Sequence, residues 1–313
     1  MTGPEHPDAE SRRSPSLYDR VAEETASVVI RRYSTSFGLA SRLLAPPIRR
    51  HIENIYALVR VADEVVDGGA ADAGLDPLAA ARVLNDFERD TEAAIDCGYS
   101  SNLVIHAFAR TARATGFGRE LTQPFFASMR MDLVQTEHDA ESFDTYVYGS
   151  AEVVGLMCLS TFLQGITVSP AEHARLEYGA RKLGAAFQKV NFLRDLSADF
   201  QSLGRSYFPG VSVESFSEAD KIRLLDDIDA DLRDSATVVP LLPATSRRAV
   251  SLAQGLFTEL AERLRTTQAE RLLSSRVGVP NSVKLRIVAA AMAGRTPRGA
   301  LPAANAATPK TAS

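Results

Sequence analysis

Tryptophan is absent from this 313-residue chain, and it has only two cysteines and five histidines. Two cysteines, Cys97 and Cys158, cannot build a disulfide framework; a reducing compartment fits, with both thiols expected to be buried in helical surroundings. His51, His106 and His138 lack metal-ligand spacing and read as core or surface residues. Basic surplus is also missing: 35 Lys and Arg stand against 39 Asp and Glu, a net charge of −4, which argues against a nucleic-acid partner. There is no glycine-rich dinucleotide fingerprint. No apolar run is long enough for a membrane span; the longest, about Val153 to Val168, is interrupted by Ser160, Thr161 and Gln164 and reads as a buried helix. Met1 to Asp8 carry no apolar leader segment. A cytoplasmic protein is expected, and peripheral contact with the inner face of a membrane stays open.

What the chain does have is helical periodicity almost throughout. Pro46-Pro47 opens a helix, because proline is tolerated in a first turn, and Gly68-Gly69 closes it. Between them Ile48, Ile52, Ile55, Val59, Ala62 and Val66 form an apolar stripe at 3- and 4-residue spacing. Similar patterns cover 17–31, 77–96, 101–115, 119–136, 142–166, 170–200, 217–236 and 245–271. Breaks fall at Gly116 to Gly118, at Ser169-Pro170 and between Gly204 and Gly210. No composition shift or fixed-period repeat divides the chain. The expectation is one all-α domain over 17–290, with a disordered N-terminal segment at 1–16 and a disordered Ala/Pro/Thr-rich tail at 295–313.

Two of these helices carry the same polar face. Tyr56, Arg60, Asp63 and Asp67 are offset by 0, 4, 7 and 11 residues; Gln188, Asn191, Asp195 and Asp199 are offset by 0, 3, 7 and 11. At about 100° per residue each set falls within roughly 60–80° of arc and ends in two carboxylates one turn apart. Asp-x-x-x-Asp alone is a weak signal, since it occurs at 63/67, 72/76, 86/90, 195/199 and 227/231. The 72/76 pair lies in a glycine-containing loop, and 86/90 shares its face with Arg82 and reads as a solvated surface. The 227/231 pair sits in a run so rich in charge that it is expected to be exposed. Only 63/67 and 195/199 extend back to uncharged hydrogen-bonding groups. Oxygen ligands of this kind suit Mg²⁺, which is usually completed by substrate phosphate oxygens. Arg60, Arg194 and Arg205 could grip a diphosphate by paired hydrogen bonds, or Arg60 and Arg194 could simply neutralise their aspartate neighbours.

Further phrases narrow the reading. Tyr33-Ser-Thr-Ser-Phe37 precedes Ile55-Tyr-Ala-Leu-Val-Arg-Val-Ala-Asp-Glu-Val-Val-Asp67; later come Met131-Asp-Leu, Tyr146-Val-Tyr-Gly-Ser-Ala-Glu-Val-Val-Gly155, Asn191-Phe-Leu-Arg-Asp195 and Gly204-Arg-Ser-Tyr-Phe-Pro209. In this order the chain, over about residues 20–285, resembles the squalene/phytoene synthase family, and within it the bacterial phytoene synthases. The resemblance implies an isoprenoid-synthase helical bundle with a central apolar cavity. It implies head-to-head (1′–1) condensation of two geranylgeranyl diphosphates to phytoene, the committed step of carotenoid synthesis. Asp63, Asp67, Asn191, Asp195 and Asp199 match metal ligands for Mg²⁺, with Mn²⁺ as an alternative, and NADPH is not expected. Tyr33, Ser34, Thr35, Ser36, Tyr56, Arg60, Gln188 and Arg194 fall where the family contacts substrate. Phe37 and Tyr146 match positions near the reacting carbons, and Arg205 and Tyr207 a flap over the diphosphate, with Tyr207 a candidate base.

The chain departs from the family at several points. Tyr33 and Thr35 stand where His and Lys are frequent, Glu152 replaces a small residue, Ser197-Ala198 replaces Gly-Glu, and Phe257 stands where tyrosine is often found. The rival readings are a C15-using squalene or dehydrosqualene synthase, a terpene cyclase, and a catalytically inactive relative acting as an assembly or lipid-binding factor. The intact acidic stripes argue against the last. The expected partners are the prenyl diphosphates and downstream carotenoid enzymes.

Overall fold

A computed structural model of the protein describes residues 14–293, apart from the side chains of Asp199 and of residues 201–203. The expected disordered stretches at 1–16 and 295–313 therefore fall almost wholly outside the described residues. Residues 14–16 are the exception, and Ser16 caps the first helix, its hydroxyl accepting from the Asp19 amide while the Asp19 carboxylate accepts from the Ser16 amide.

The elements are α1 (Leu17–Tyr33), α2 (Thr35–Ser41), α3 (Pro46–Val66), α4 (Gly69–Asp72), α5 (Pro77–Cys97), α6 (Leu103–Thr115), α7 (Arg119–Val134), α8 (Ala140–Val147), α9 (Val153–Phe162), α10 (Pro170–Leu203), α11 (Glu218–Ala236), α12 (Ala244–Thr266), α13 (Ala269–Leu272) and α14 (Asn281–Met292). No strand occurs among the described residues beyond one isolated bridge, Glu137 to Ser206. Local chemistry sets the ends. Asp76, Asn102 and Asp139 accept amide hydrogen bonds as N-caps of α5, α6 and α8. Gly98 and Gly116 close α5 and α6 in the left-handed conformation. α10, with 34 residues, spans about 50 Å and forms the long strut of the fold.

Two large apolar cores are joined by two smaller clusters among the described residues. The first is built by α1, α3, α5, α6, α7 and α9 and takes Ile55, Leu58, Ala62 and Val66 from α3. The second joins α8, α10, α11, α12 and α13 and takes Ala186, Val190, Leu193 and Leu196 from α10. On each helix the polar stripe lies beside the core-facing stripe, so burial of one face leaves the other outside the core.

The expected helix over 142–166 is instead α8 and α9 joined by a π-helical turn, Tyr148–Glu152. The turn wedges between α7 and α10. A Cβ on Gly149 would lie 2.1 Å from the Ser128 hydroxyl and 2.2 Å from the Pro124 carbonyl; one on Gly184 would lie 2.5 Å from the Ala151 carbonyl. The Ser128 hydroxyl donates to the Tyr146 carbonyl at 3.1 Å across this contact.

Two surface expectations are corrected. The 227/231 pair is solvated only in part: Asp227 is exposed as expected, but Asp231 is buried, accepting from Lys182 and Lys189, each at 2.7 Å, and Lys189 also reaches Asp227 at 2.6 Å. Two lysines on α10 offset the desolvation that pattern reasoning took as prohibitive. Cys97 is exposed rather than buried, whereas burial pushes the Cys158 thiol up to about 12. The 86/90 pair is exposed as expected, with Arg89 as the partner, bonded to Asp86 at 2.7 Å. Among the described residues no helix is long and apolar enough to cross a membrane.

Candidate active site

On α3, Tyr56, Arg60 and Asp63 are partly buried and Asp67, the residue that ends the helix, is exposed. The Arg60 guanidinium lies 4.7 Å from the centre of the Tyr33 ring, bonds Glu64 and stands 4.0 Å from Asp63. Its Nε is buried with no hydrogen-bond partner. A buried unpaired donor on a cation costs free energy unless an acceptor reaches it. Asp63 keeps about 29% of its side-chain surface open, yet its carboxyl is pushed up to about 8. Burial among protein atoms is the largest cause, Asp67 adds repulsion, and Arg60 opposes both.

On α10, Gln188, Asn191, Arg194 and Asp195 are partly buried, and Asp199 continues the stripe on the backbone, its side chain outside the described set. Two arginines hold Asp195. Arg194 bonds both of its oxygens, and Arg276, from the chain after α13, reaches them with Nε at 2.7 Å and Nη2 at 3.2 Å. Two guanidiniums on one carboxylate leave cationic capacity for a second anion.

Two bridges connect the helices that carry the stripes. At one end Phe37 of α2 packs 6.3 Å from Tyr56 on α3 and 5.6 Å from Phe187 on α10. At the other end the loop after α10 folds back to the end of α3. There Arg205 donates to the Val66 carbonyl at 2.7 Å, the Asp132 carbonyl at 2.8 Å and the Asp67 carboxylate at 2.8 Å. The Ser206 amide donates to the Thr136 carbonyl at 2.7 Å and pins the same loop. Beside the first bridge Phe257 stacks on Phe187 at 3.9 Å and packs 5.5 Å from Phe37.

Behind the end of α3 lies a buried hub that the sequence reading quoted only as a phrase. Asp132 on α7 accepts from the Tyr146 hydroxyl at 2.8 Å and from the Tyr207 hydroxyl at 3.3 Å, with Arg205 Nη1 3.6 Å away. Burial raises its carboxyl to about 7; Arg205 and the tyrosine hydroxyls oppose the shift and Asp67 adds to it. Burial likewise raises the Tyr146 and Tyr207 hydroxyls far above the ordinary phenol value. Tyr207 stacks on Phe192 at 4.0 Å, and His138, also buried, lies 5.0 Å from the Tyr146 ring.

The remaining residues of the Tyr33–Phe37 phrase sit at one rim. Tyr33 is 54% exposed, Ser34 caps α2 through the Phe37 amide at 3.0 Å, Thr35 is exposed and Ser36 is partly buried. Lys284 on α14 brings its ammonium to 3.5 Å from the Thr35 hydroxyl, so a lysine stands beside position 35 although none occupies it. Arg276, Lys284 and Asp132 are the site residues that the sequence reading missed. The first two come from distant chain with no local pattern, whereas Met131-Asp-Leu was a visible signal for the third. Glu152 is matched by Arg181, bonded at 2.6 Å, and Ser197 donates to the Leu273 carbonyl at 2.6 Å.

Among the described residues no three acidic, histidine or cysteine side chains converge to hold a metal ion by themselves. The donors nevertheless fit a hard divalent ion that arrives with an anionic ligand. They are oxygen-only and paired one turn apart.

A family model described as "Squalene/phytoene synthase" matches residues 30–282. The chain is 33% identical over 200 residues to "Phytoene synthase 3, chloroplastic" of Zea mays, covering 61% of this chain and 44% of the relative. It is 28% identical over 209 residues to "4,4'-diapophytoene synthase" of Staphylococcus haemolyticus, covering 65% and 66%. The chain spans 44–66% of the length of the first curated relatives it matches. A crystal structure of a dehydrosqualene synthase in complex with ligand superposes with a TM-score of 0.72 at 22% identity, covering 90% of this chain and 99% of the other. That likeness bears out the all-α isoprenoid-synthase fold.

Proposed function

The chain belongs to the squalene/phytoene synthase family, and from that premise we propose that it condenses two geranylgeranyl diphosphates head to head (1′–1) to phytoene. The observation that carries the reading is the pair of acidic stripes on α3 and α10, linked by Phe37 at one end and Arg205 at the other, with Phe187 and Phe257 packed beside Phe37. Asp63 and Asp67 on one side, and Asn191, Asp195 and Asp199 on the other, would hold Mg²⁺, with Mn²⁺ as a substitute. Bound there, the ion supplies Lewis-acid stabilisation of the departing diphosphate.

The chain's own residues do the rest. Arg60, Arg194, Arg276 and Lys284 grip diphosphate oxygens, and the unpaired Nε of Arg60 gains an acceptor. Tyr33, Ser34, Thr35, Ser36, Tyr56 and Gln188 line the diphosphate and the first isoprene units. Phe37, Phe187 and Phe257 exclude water from the allylic cation, whose capture by the double bond of the second substrate, with loss of a proton as the ring closes, gives a cyclopropylcarbinyl diphosphate. Arg205 and Tyr207 hold the loop after α10 against α3 and close that side of the site. A second ionisation, rearrangement to the 1′–1 bond and loss of a proton yield the central triene, without a nicotinamide.

A C15 substrate is the second reading, favoured by the name of the staphylococcal relative and by the dehydrosqualene synthase fold neighbour. Incubation of purified protein with Mg²⁺ and either geranylgeranyl or farnesyl diphosphate, with and without NADPH, decides between them. The expected result is a C40 triene from the C20 substrate, independent of NADPH and abolished by EDTA. A C30 product alone overturns the C20 reading; no hydrocarbon from either substrate overturns the synthase reading.

A further inference from the structure

α10 and α11 meet through apolar side chains and through one buried group of charges. Val190 and Leu193 of α10 and Leu225 and Ile228 of α11 are fully buried in the same core. Within that contact the Asp231 carboxylate, 3% exposed, accepts from Lys182 on Oδ1 and from Lys189 on Oδ2, each at 2.7 Å. Lys189, 13% exposed, also donates to Asp227 at 2.6 Å, and farther up α10 the Tyr178 hydroxyl donates to Asp234 at 2.5 Å. We propose that Asp231, with Lys182 and Lys189, is a positioning residue: it fixes the rotation and axial register of α10, and through them the direction in which Gln188, Asn191 and Asp195 face. The inference rests on the reading of those three as diphosphate and metal contacts.

Charge does here what apolar packing cannot. Apolar contact is non-directional and roughly proportional to area, so a helix that turns or slides by a small step on an apolar neighbour loses little of it. A buried carboxylate shared by two ammonium groups has one satisfied arrangement. Lys182 and Lys189 are seven residues apart, close to two turns, so they share a face and stand about 10 Å apart along the axis. Each takes one oxygen of Asp231. A slip of one turn, about 5.4 Å, would carry one of them away and leave the carboxylate short of a partner. Both lysines stay charged in place. The bond to Asp231 raises the Lys182 ammonium above its ordinary value. Burial works to lower that of Lys189, but bonds to Asp227 and Asp231 overcome it.

The same geometry carries the effect to the stripe. At about 100° per residue the lysine face lies roughly 120–140° round α10 from Asp195. α10 is one uninterrupted helix from Pro170 to Leu203, so a rotation at the lysines is a rotation at Asn191 and Asp195. Phe187 and Gln188 directly precede Lys189, and Phe187 is the residue that packs 5.6 Å from Phe37. Stability is not what the charges add, because exchanging a buried ion group for apolar side chains of like volume is often neutral or stabilising.

Two variants and two readouts test this. K182M/K189M/D231L replaces the charges with apolar groups of similar size; K189M leaves Asp231 its bond to Lys182. Urea unfolding reports stability, and calorimetric binding of inorganic diphosphate with Mn²⁺ reports the stripe. In the triple variant the unfolding midpoint equals or exceeds that of the unmodified protein, while diphosphate binds roughly 10-fold more weakly and kcat/KM for the prenyl diphosphate falls roughly 10²-fold, the scale of a 1 Å misplacement. K189M moves the same way by less, and K189R, which keeps the charge, retains most of the binding. Unchanged binding and kcat/KM in a folded triple variant overturns the inference, and so does a loss that only follows a lowered unfolding midpoint. Should the triple variant fail to fold, K189M decides by the same comparison. If the unmodified protein binds no diphosphate with Mn²⁺, the reading of the stripes has failed and takes the inference with it; equal binding in the unmodified protein and the variants removes the inference alone.

Discussion

Asp19 illustrates how single residues here serve the frame and not the chemistry. It receives hydrogen bonds from His106 at 2.9 Å and from the Ser16 amide at 2.7 Å, and pairs with Arg110, tying the start of α1 to α6. Burial works to raise its carboxyl, but these donors overcome it and hold the group well below the usual carboxylate range. A depressed folded value contributes stability that is present above the unfolded value of about 4 and is lost as pH falls through the folded one. D19N should cost about 2 kcal/mol at pH 7, measured by urea unfolding. The gap to the unmodified protein should narrow toward pH 3; a gap independent of pH would show that charge is not the cause. At this scale sequence reading did well where a residue acts through its own helix and failed where the partner is remote. Tyr56, Arg60 and Asp63 were legible as one face. The match of Lys182 and Lys189 to Asp231 was not, because only folding brings α10 onto α11 and turns a run of charge into a buried pairing.

At the scale of elements, most boundaries followed from caps and apolar periodicity, since proline, glycine and Asx residues mark ends by backbone chemistry alone. Two features did not. The short α2 and the C-terminal α14 lacked a clear stripe; α14 leaves Leu285 69% and Met292 54% exposed, which blurs its pattern. The π-helical turn at Tyr148–Glu152 shifts the phase of an otherwise continuous helix, and periodicity cannot register a single extra residue. Its reason is close approach: Gly149 sits against the Pro124 carbonyl and Ser128 of α7. Gly149→Ala should therefore destabilise the fold by about 3 kcal/mol through overpacking. Because only Val147 separates the turn from Tyr146, hydrocarbon synthesis should fall with it. Unchanged unfolding in urea would contradict the close-packing account.

The molecule as a whole is built on two large apolar cores, and the acidic stripes beside them carry the proposed function. That two helices bore acidic stripes was legible from spacing; that the two are linked was not, because it depends on Phe37 bridging Tyr56 and Phe187 and on Arg205 returning to Asp67. The same long-range closure brings Arg276 to Asp195 and Lys284 to Thr35, contacts spanning 81 and 249 residues of sequence. The central claim is that the stripes act as one clamp on one diphosphate. It is tested by the rate of diphosphate release from geranylgeranyl diphosphate with Mg²⁺ in the unmodified protein, D63N, D195N and the double variant, with helical circular dichroism as the control for folding. The clamp predicts that either single substitution reduces release as far as the double one does, with the helical signal unchanged. Release near the unmodified rate in either single variant, or losses that simply multiply in the double, would mean that the two helices do not hold the same diphosphate.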